Sequence, residues 1–414
     1  MNGKRILAML LSAAMTLTLS VCTVWADGDD SDTVIAADEA QPDSEGTLSF
    51  GNLRTRMLDN YYPLLALQES IDDLENRDYE WRAEDLRDNL NMIASAQWAM
   101  ISMSPLATEL NSYDAMKTQY QSMREQFDDI RSGKTQKEDE DALRQYRNAQ
   151  NQAVAAGESL YIAVCDMTAR SVALDRQIAQ LDRTVEELEL RYQLGQVSEL
   201  LVEQAKSGRA QAVSGRMTLN MNIDTCLLQL KSMVGAELGE PLELGPLPKV
   251  TDAQLAEMSL EEDLERAMAA SYELFDAKKQ LDDFQKNTYD KVIDSIGSNE
   301  KRFEVSQVKH GLQALKYNYE NTLLTYELNF RTLYAQIKDC AQIVETKRVV
   351  LSAQEKVYAS AALKYEQGEI SANALADASD ELESAKDAVS DAERELFSKY
   401  RSYFWAVEYG ILNG

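Results

Sequence analysis

The sequence predicts an all-α protein built of long antiparallel helical hairpins, and three observations carry that prediction. Prolines number six in 414 residues and stand at 42, 63, 105, 241, 246 and 248, so 106–240 and 249–414 contain none. Glycine is also thin, at 17, where a β-rich domain of this length needs many more turn residues. Apolar residues then recur at alternating three- and four-residue steps over distances that only helices hold in register.

Charge and cysteine usage exclude several functions. The net charge of −28 argues against nucleic-acid binding, which needs a clustered basic surface. One His and four scattered Cys form no metal-ligand cluster. His310 has no nucleophile pattern beside it and reads as a structural or surface residue. With no nucleophile, metal set or phosphate loop, neither catalysis nor a cofactor is expected.

Residues 1–26 read as a secretory signal. Lys4 and Arg5 form its charged start, Ile6 to Val24 its apolar stretch, and Val24-Trp25-Ala26 a small-residue cleavage site. A retained anchor and a lipoprotein using Cys22 are the alternatives. Residues 27–46 hold eight acids and no base, and cannot bury enough surface to offset the entropy of ordering. They read as a disordered acidic tether. An exported protein of the cell envelope follows.

One apolar stripe runs Leu160, Val164, Met167, Leu174, Ile178, Leu181, Val185, Leu188 and Tyr192. Another runs from Leu312 through Leu323, Phe330 and Ile337 to Val344 and Leu351. Neither Gly nor Pro falls between Gly311 and Gly368, which allows one helix of roughly 80 Å. A 3.5-residue period sustained this far implies left-handed coiled-coil packing. Downstream stripes use smaller residues: Leu201, Ala205, Gly208, Ala212, Gly215 and Leu219, and Leu375, Ala378, Leu382, Ala385, Val389 and Leu396. Small residues there would let a returning helix approach its partner closely.

The turns between them repeat. Tyr192-Gln193-Leu194-Gly195-Gln196-Val197-Ser198 matches Tyr365-Glu366-Gln367-Gly368-Glu369-Ile370-Ser371. In each, Gly is expected to stop one helix and Ser to cap the next. Each returning helix ends at a glycine, Gly235 or Gly410, and Leu48-Ser49-Phe50 matches Met258-Ser259-Leu260. The chain therefore divides into a first repeat, 47–235, a Gly/Pro-rich linker, 236–257, and a second repeat, 258–410. The first repeat is longer before its turn, with breaks expected at Ser104-Pro105 and along the polar run Ser132–Asp141.

Long helix, Tyr-x-x-Gly-x-x-Ser turn, small-residue helix and terminal Gly, twice in order, resemble the TolC family of outer membrane efflux proteins. Val234–Val250 looks like that family's inter-repeat segment. LSFGNLRTRMLDNYYPLLA resembles its opening helix and the proline-marked stretch that follows. The resemblance implies a homotrimer closing a hollow cylinder. A membrane-fusion adaptor would dock at the far tips, and an inner-membrane transporter would deliver substrate. By position the tip residues are Leu194, Gly195 and Gln196, and Gln367, Gly368 and Glu369; alternatively these glycines only terminate helices. Glu199, Glu203, Asp377 and Asp380 lie within three turns of the tips and would favour cations in a tunnel, unless they are merely solvated.

The sequence departs from the family where transmembrane strands belong. Ile293–Phe303 is too short for two strands of ~9–11 residues, and the stretch from Leu110 to Asp141 has one Ile and no Val, reading as helix and polar loop. No membrane barrel is expected, and membrane association stays open. Cys165 and Cys226 stand 30 and 31 residues from Gly195, so a hairpin puts them at similar height, bridged or free. Tyr403-Phe404-Trp405 with Tyr409 reads as core or as an interfacial anchor. The alternative to transport is an exported coiled-coil interaction protein.

Overall fold

The longest helices run through stretches that offer neither proline nor a glycine at positive φ. The computed structural model describes Asp43 and residues 46–103, 111–294 and 302–412. The expected signal, nearly all of the acidic tether, and Ser104-Pro105 lie outside them. Five glycines with φ between 66° and 76°, at 133, 195, 235, 368 and 410, each stand at the end of a helix, where the left-handed conformation releases the last carbonyls.

One compact unit comprises the described residues up to Tyr62 and from Gln152 onward. Strand β1 (Thr47–Leu48) pairs in parallel with β2 (Glu243–Leu244), Thr47 opposite Glu243. The inter-repeat segment thus returns to the start of the first repeat. Helices α1 (Phe50–Asn60) and α2 (Tyr62–Glu75) follow. After the long helices α5 (Lys134–Gln193) and α6 (Glu199–Val234) come the short α7 (Asp252–Glu257), then α8 (Leu260–Ala270) and α9 (Tyr272–Phe284). A π-helical stretch, 285–290, leads into α10 (Lys291–Asp294), and α11 (Arg302–Glu366) and α12 (Ala372–Tyr409) close the chain.

The duplication extends to detail. Both α1 and α8 are 11 residues long and begin after Ser49 and Ser259. Each ends at one extended residue, Tyr61 (φ −79°, ψ 107°) or Ser271 (φ −66°, ψ 118°). Gly235 then lies against Asn60, and Gly410 against Ala270 and Ser271. The predicted stripe of α11 is a buried face: Tyr326, Phe330, Leu333, Ile337, Cys340 and Val344 join Leu264 and Ala267 of α8 and Ala392, Leu396 and Tyr403 of α12 in one core. In the first repeat Val164 and Ile178 are buried, whereas Tyr192 and Leu201, the stripe residues beside the turn, are exposed.

Gly311 does not begin α11, which runs through it; a Cβ there would meet Phe284 at 2.9 Å. Close approach at the small-residue stripe of α6 is not what the structure shows. Nothing lies within 4 Å of a Cβ built on Gly208, and Gly215 meets only Leu174, at 4.0 Å.

The second unit, residues 63–151, contains most of α2, then α3 (Tyr79–Met103), α4 (Asn111–Arg131) and the first turns of α5. Arg147 of α5 meets Glu75 of α2 at 2.5 Å, and Gln150 donates to Gln68 at 3.1 Å. Asp139 accepts from Arg77 at 2.8 Å and from the Tyr79 hydroxyl at 3.0 Å, pinning the root of the α3–α4 hairpin. The polar run expected to break the chain over Ser132–Asp141 does so only at Ser132-Gly133. From Lys134 onward its Lys, Glu and Gln are good helix formers and belong to α5.

Candidate functional site

Both repeat turns close with the same hydrogen bonds. Gly195 N–H donates to the Tyr192 carbonyl at 2.9 Å and Gln196 N–H to Arg191 at 2.8 Å; Gly368 donates to Tyr365 at 2.9 Å and Glu369 to Lys364 at 2.8 Å. These paired bonds satisfy carbonyls that the ends of α5 and α11 leave free. Ser371 accepts from the Ala374 N–H at 3.2 Å, the expected cap. Ser198 holds the capping position and an extended backbone, but its side chain makes no cap bond, so only one of the two serines caps as the sequence predicts.

All six tip residues are exposed. The first tip is the more apolar: Leu194 is 64% exposed, flanked by exposed Leu190, Tyr192 and Leu200. The second presents Gln367 and Glu369 beside Leu363 and Tyr365. Glu199 and Asp377 are solvated. Glu203 is exposed and lies 3.5 Å from Lys206. Asp380 differs from the other three in being half-buried, held in an ion pair across to α5 by Arg183.

That pair belongs to a seam that the sequence reading missed. Helix α12 carries Asp380, Asp387, Arg394 and Arg401 at seven-residue steps. Their partners on α5 are Arg183, Arg176 (2.5 Å from Asp387), Asp166 (2.7 Å from Arg394) and Glu158 (2.7 Å from Arg401). Partner numbers fall on α5 as they rise on α12, so the two helices run antiparallel. Both signs reverse halfway. A slip of one heptad, ~10 Å, in either direction therefore sets like charges together at the crossover. The seven-residue spacing was the available signal.

Burial grades the seam. Glu158, 4% exposed, also accepts from the Trp405 indole N–H at 2.7 Å, so its carboxylate is fully engaged. Arg394 bridges Asp166 and Asp391, and burial pushes the Asp391 carboxyl up to about 7 against the pull of Arg394. At the tip end the Arg183 and Asp380 side chains are about one-third exposed.

Polar pairs also join α5 to α6: the ion pairs Lys206–Glu189 at 2.9 Å, Arg209–Asp182 and Arg216–Asp175 at 2.8 Å, and the Ser171 hydroxyl to Asn220 at 2.9 Å. Arg348 to Glu393 at 2.7 Å and Gln354 to Glu381 at 2.9 Å do the same for α11–α12. The long helices thus form a layer ordered α6, α5, α12, α11, with α6 and α11 at its edges. Cys165, Cys226 and Cys340 are free thiols. Tyr403 and Trp405 are buried core residues, while Phe404 and Tyr409 are half-buried.

Among the described residues no three His, Cys, Asp or Glu side chains gather to hold a metal, and no helix is long and apolar enough to cross a membrane. The cavity beside Glu158 and Arg401 is only about 30 Å³.

No family model and no curated protein sequence matches the chain. Solved structures do. A membrane protein from Pseudomonas aeruginosa is 14% identical over 88% of this chain and 91% of its own, with a TM-score of 0.51. The outer membrane protein VceC from Vibrio cholerae is 16% identical over 66% and 74%, TM-score 0.45. The Campylobacter jejuni CmeC outer membrane channel is 12% identical over 94% and 96%, TM-score 0.41. At such identities likeness speaks for the fold and not the activity: over most of its length the chain shares the fold of the Pseudomonas aeruginosa protein, here built as two tandem helical hairpins.

Proposed function

We propose that copies of this chain join edge to edge into a helical tunnel serving an export system of the cell envelope. The observation that carries this reading is the state of the two edge helices. Helix α6 exposes Leu200, Met221 and Leu228 at multiples of seven residues, with Met217 beside them. Helix α11 exposes Ile343, Val350 and Val357 at seven-residue steps, and Tyr317, Leu324 and Leu328 further from the tip. Single exposed apolar residues are ordinary, whereas aligned stripes on both edges of one layer call for a partner. Two different edges make a head-to-tail interface, which closes into a ring when the rotation between copies divides a full turn. Three copies is the number that the TolC resemblance implies.

In this reading the wall is passive, and a membrane-fusion adaptor coupled to an inner-membrane transporter docks at Leu194, Gly195 and Gln196 and at Gln367, Gly368 and Glu369. Glu199, Glu203 and Asp377 supply acidic charge near the tips.

Light scattering on a sizing column tests the assembly, using residues 27–414 in detergent-free buffer. A trimer is expected, converted to monomer by Met221→Glu with Val350→Glu. A wild-type monomer at every concentration overturns the tunnel and leaves an interaction protein. Docking is tested separately. Proline cannot adopt the positive φ of Gly195 or Gly368, so Gly195→Pro with Gly368→Pro should abolish adaptor binding while circular dichroism stays helical.

A further inference from the structure

The α3–α4 hairpin is polarised along its length. Every charged residue of α3 lies at or before Asp88, and none occurs from Asn89 to Met103. On α4 the stretch 124–131 holds five charges, whereas 111–123 holds only Asp114 and Lys117, which cancel. The charged half is the root, pinned by Asp139 to Arg77 and Tyr79 and by Gln136 to the Ile130 carbonyl at 3.1 Å. The uncharged half of α3, Asn89–Met103, leads away from that clamp.

Helix α3 packs along α4 and buries Leu86 and Leu90, yet its uncharged half leaves Met92, Trp98, Ile101 and Met103 exposed, Trp98 by 75% and Met103 by 87%. In a chain that is 27% charged, a 15-residue helical stretch with an exposed Trp and no charge is unusual. Protein-docking patches carry a polar, charged rim; this one has none on its own helix. An exposed indole among Met and Ile is the composition that settles at headgroup level in a bilayer. Helix α3 is not apolar enough to cross one, so the fit is to the interface.

We propose that the uncharged half of α3, Asn89–Met103, seats in the interfacial region of a lipid bilayer, with Trp98, Ile101 and Met103 as the inserted side chains. This goes beyond the tunnel reading and does not depend on it.

The test is flotation of residues 27–414, which retain the whole described fold and lack the apolar stretch at 6–24, with phosphatidylcholine vesicles. The wild type should float. Trp98→Ser with Ile101→Ser and Met103→Ser should lower the partition coefficient roughly tenfold or more. Tyr62→Ser with Leu238→Ser, also exposed but outside the edge helices, should leave it unchanged. Binding should be insensitive to salt, because no charge drives it. Should the triple variant misfold by circular dichroism, quenching by bromine-labelled lipid that a Trp81→Phe variant shows and a Trp81→Phe with Trp98→Phe variant loses gives the same answer, the buried Trp405 being common to both. A wild type that stays unbound, a folded triple variant that floats as well, or no quenching of Trp98 overturns the proposal. A triple variant that loses mass by light scattering, with flotation intact, assigns the patch to a second copy and overturns it equally.

Discussion

Tyr334 stands in the second repeat where Tyr161 stands in the first. Each hydroxyl donates to the carbonyl of the residue preceding the capping serine of the opening helix, Tyr161 to Leu48 at 3.0 Å and Tyr334 to Met258 at 3.4 Å. Tyr161 also reaches the Gly245 carbonyl at 2.7 Å, so one buried hydroxyl ties together the opening strand, the inter-repeat strand and α5. Burial holds this phenol well above its ordinary pKa, and it stays a donor throughout the physiological range. Tyr161→Phe should cost about 1–2 kcal/mol, because a buried carbonyl loses its partner. Tyr334 is half-buried and its bond is long, so Tyr334→Phe should cost under ~0.5 kcal/mol. Urea titrations of the two variants check the order.

The seam makes a graded prediction. Arg401→Ala leaves the Glu158 carboxylate buried with only the Trp405 N–H, and should destabilise by roughly 3–5 kcal/mol. Arg183→Ala, at the solvated end, should cost under ~1 kcal/mol. Thermal unfolding of both variants decides whether burial or mere pairing sets the scale.

Much of this fold was legible because it rests on local rules. Gly195, Gly368, Gly235 and Gly410 stop helices through their own backbone, and the stripes through Ile178 and Phe330 needed only periodicity. The seam was not legible. Asp387 and Arg176 are 211 residues apart, and along either helix alone each looks like part of a solvated face. The small-residue stripe misled for a related reason: Gly208 reports that a close approach is permitted, and the partner helix does not take it. Ser132–Asp141 misled by polarity, since Lys and Glu read as loop yet favour helix.

Asp391 predicts a pH dependence. Its folded pKa, about 7, lies above the ordinary carboxylate value because burial penalises the charged form. Arg394 opposes that shift, and Asp166 and Asp387 reinforce it. Between roughly pH 4 and 7 the folded state holds a proton that the unfolded state has released. Stability from this site is therefore present at low pH and falls as pH rises through 7. Denaturation at pH 5.5 and pH 8 should show that loss, and Asp391→Asn should flatten it. A wild-type curve that is flat or steeper in the opposite direction contradicts the assignment.

The thiols make a third environment-dependent case. Burial pushes Cys165 up to about 12, whereas it raises Cys226 less, although both side chains are half-buried. Alkylation of native protein at pH 8 should label Cys226 well before Cys165, since the thiolate is the reactive form. Denatured, unreduced protein comprising residues 27–414 should titrate three thiols, matching three free cysteines.

Gly410 and Gly195 separate two reasons for having glycine. Both hold positive φ, 66° and 71°. Around Gly195 nothing lies within 4 Å of a built Cβ, so Gly195→Ala meets only the backbone penalty of about 1–2 kcal/mol. At Gly410 the same atom would fall 2.3 Å from the Cα and N of Ser271 and 2.4 Å from the Ala270 carbonyl carbon. Those are backbone atoms fixed between α8 and α9, and they cannot swing aside as a side chain would. Gly410→Ala should add an overpacking cost of about 1–3 kcal/mol, and its thermal midpoint should fall clearly below that of Gly195→Ala. Equal midpoints would mean that the α12 terminus moves away from Ser271 without cost, and that the contact between the second repeat's opening and closing helices is loose.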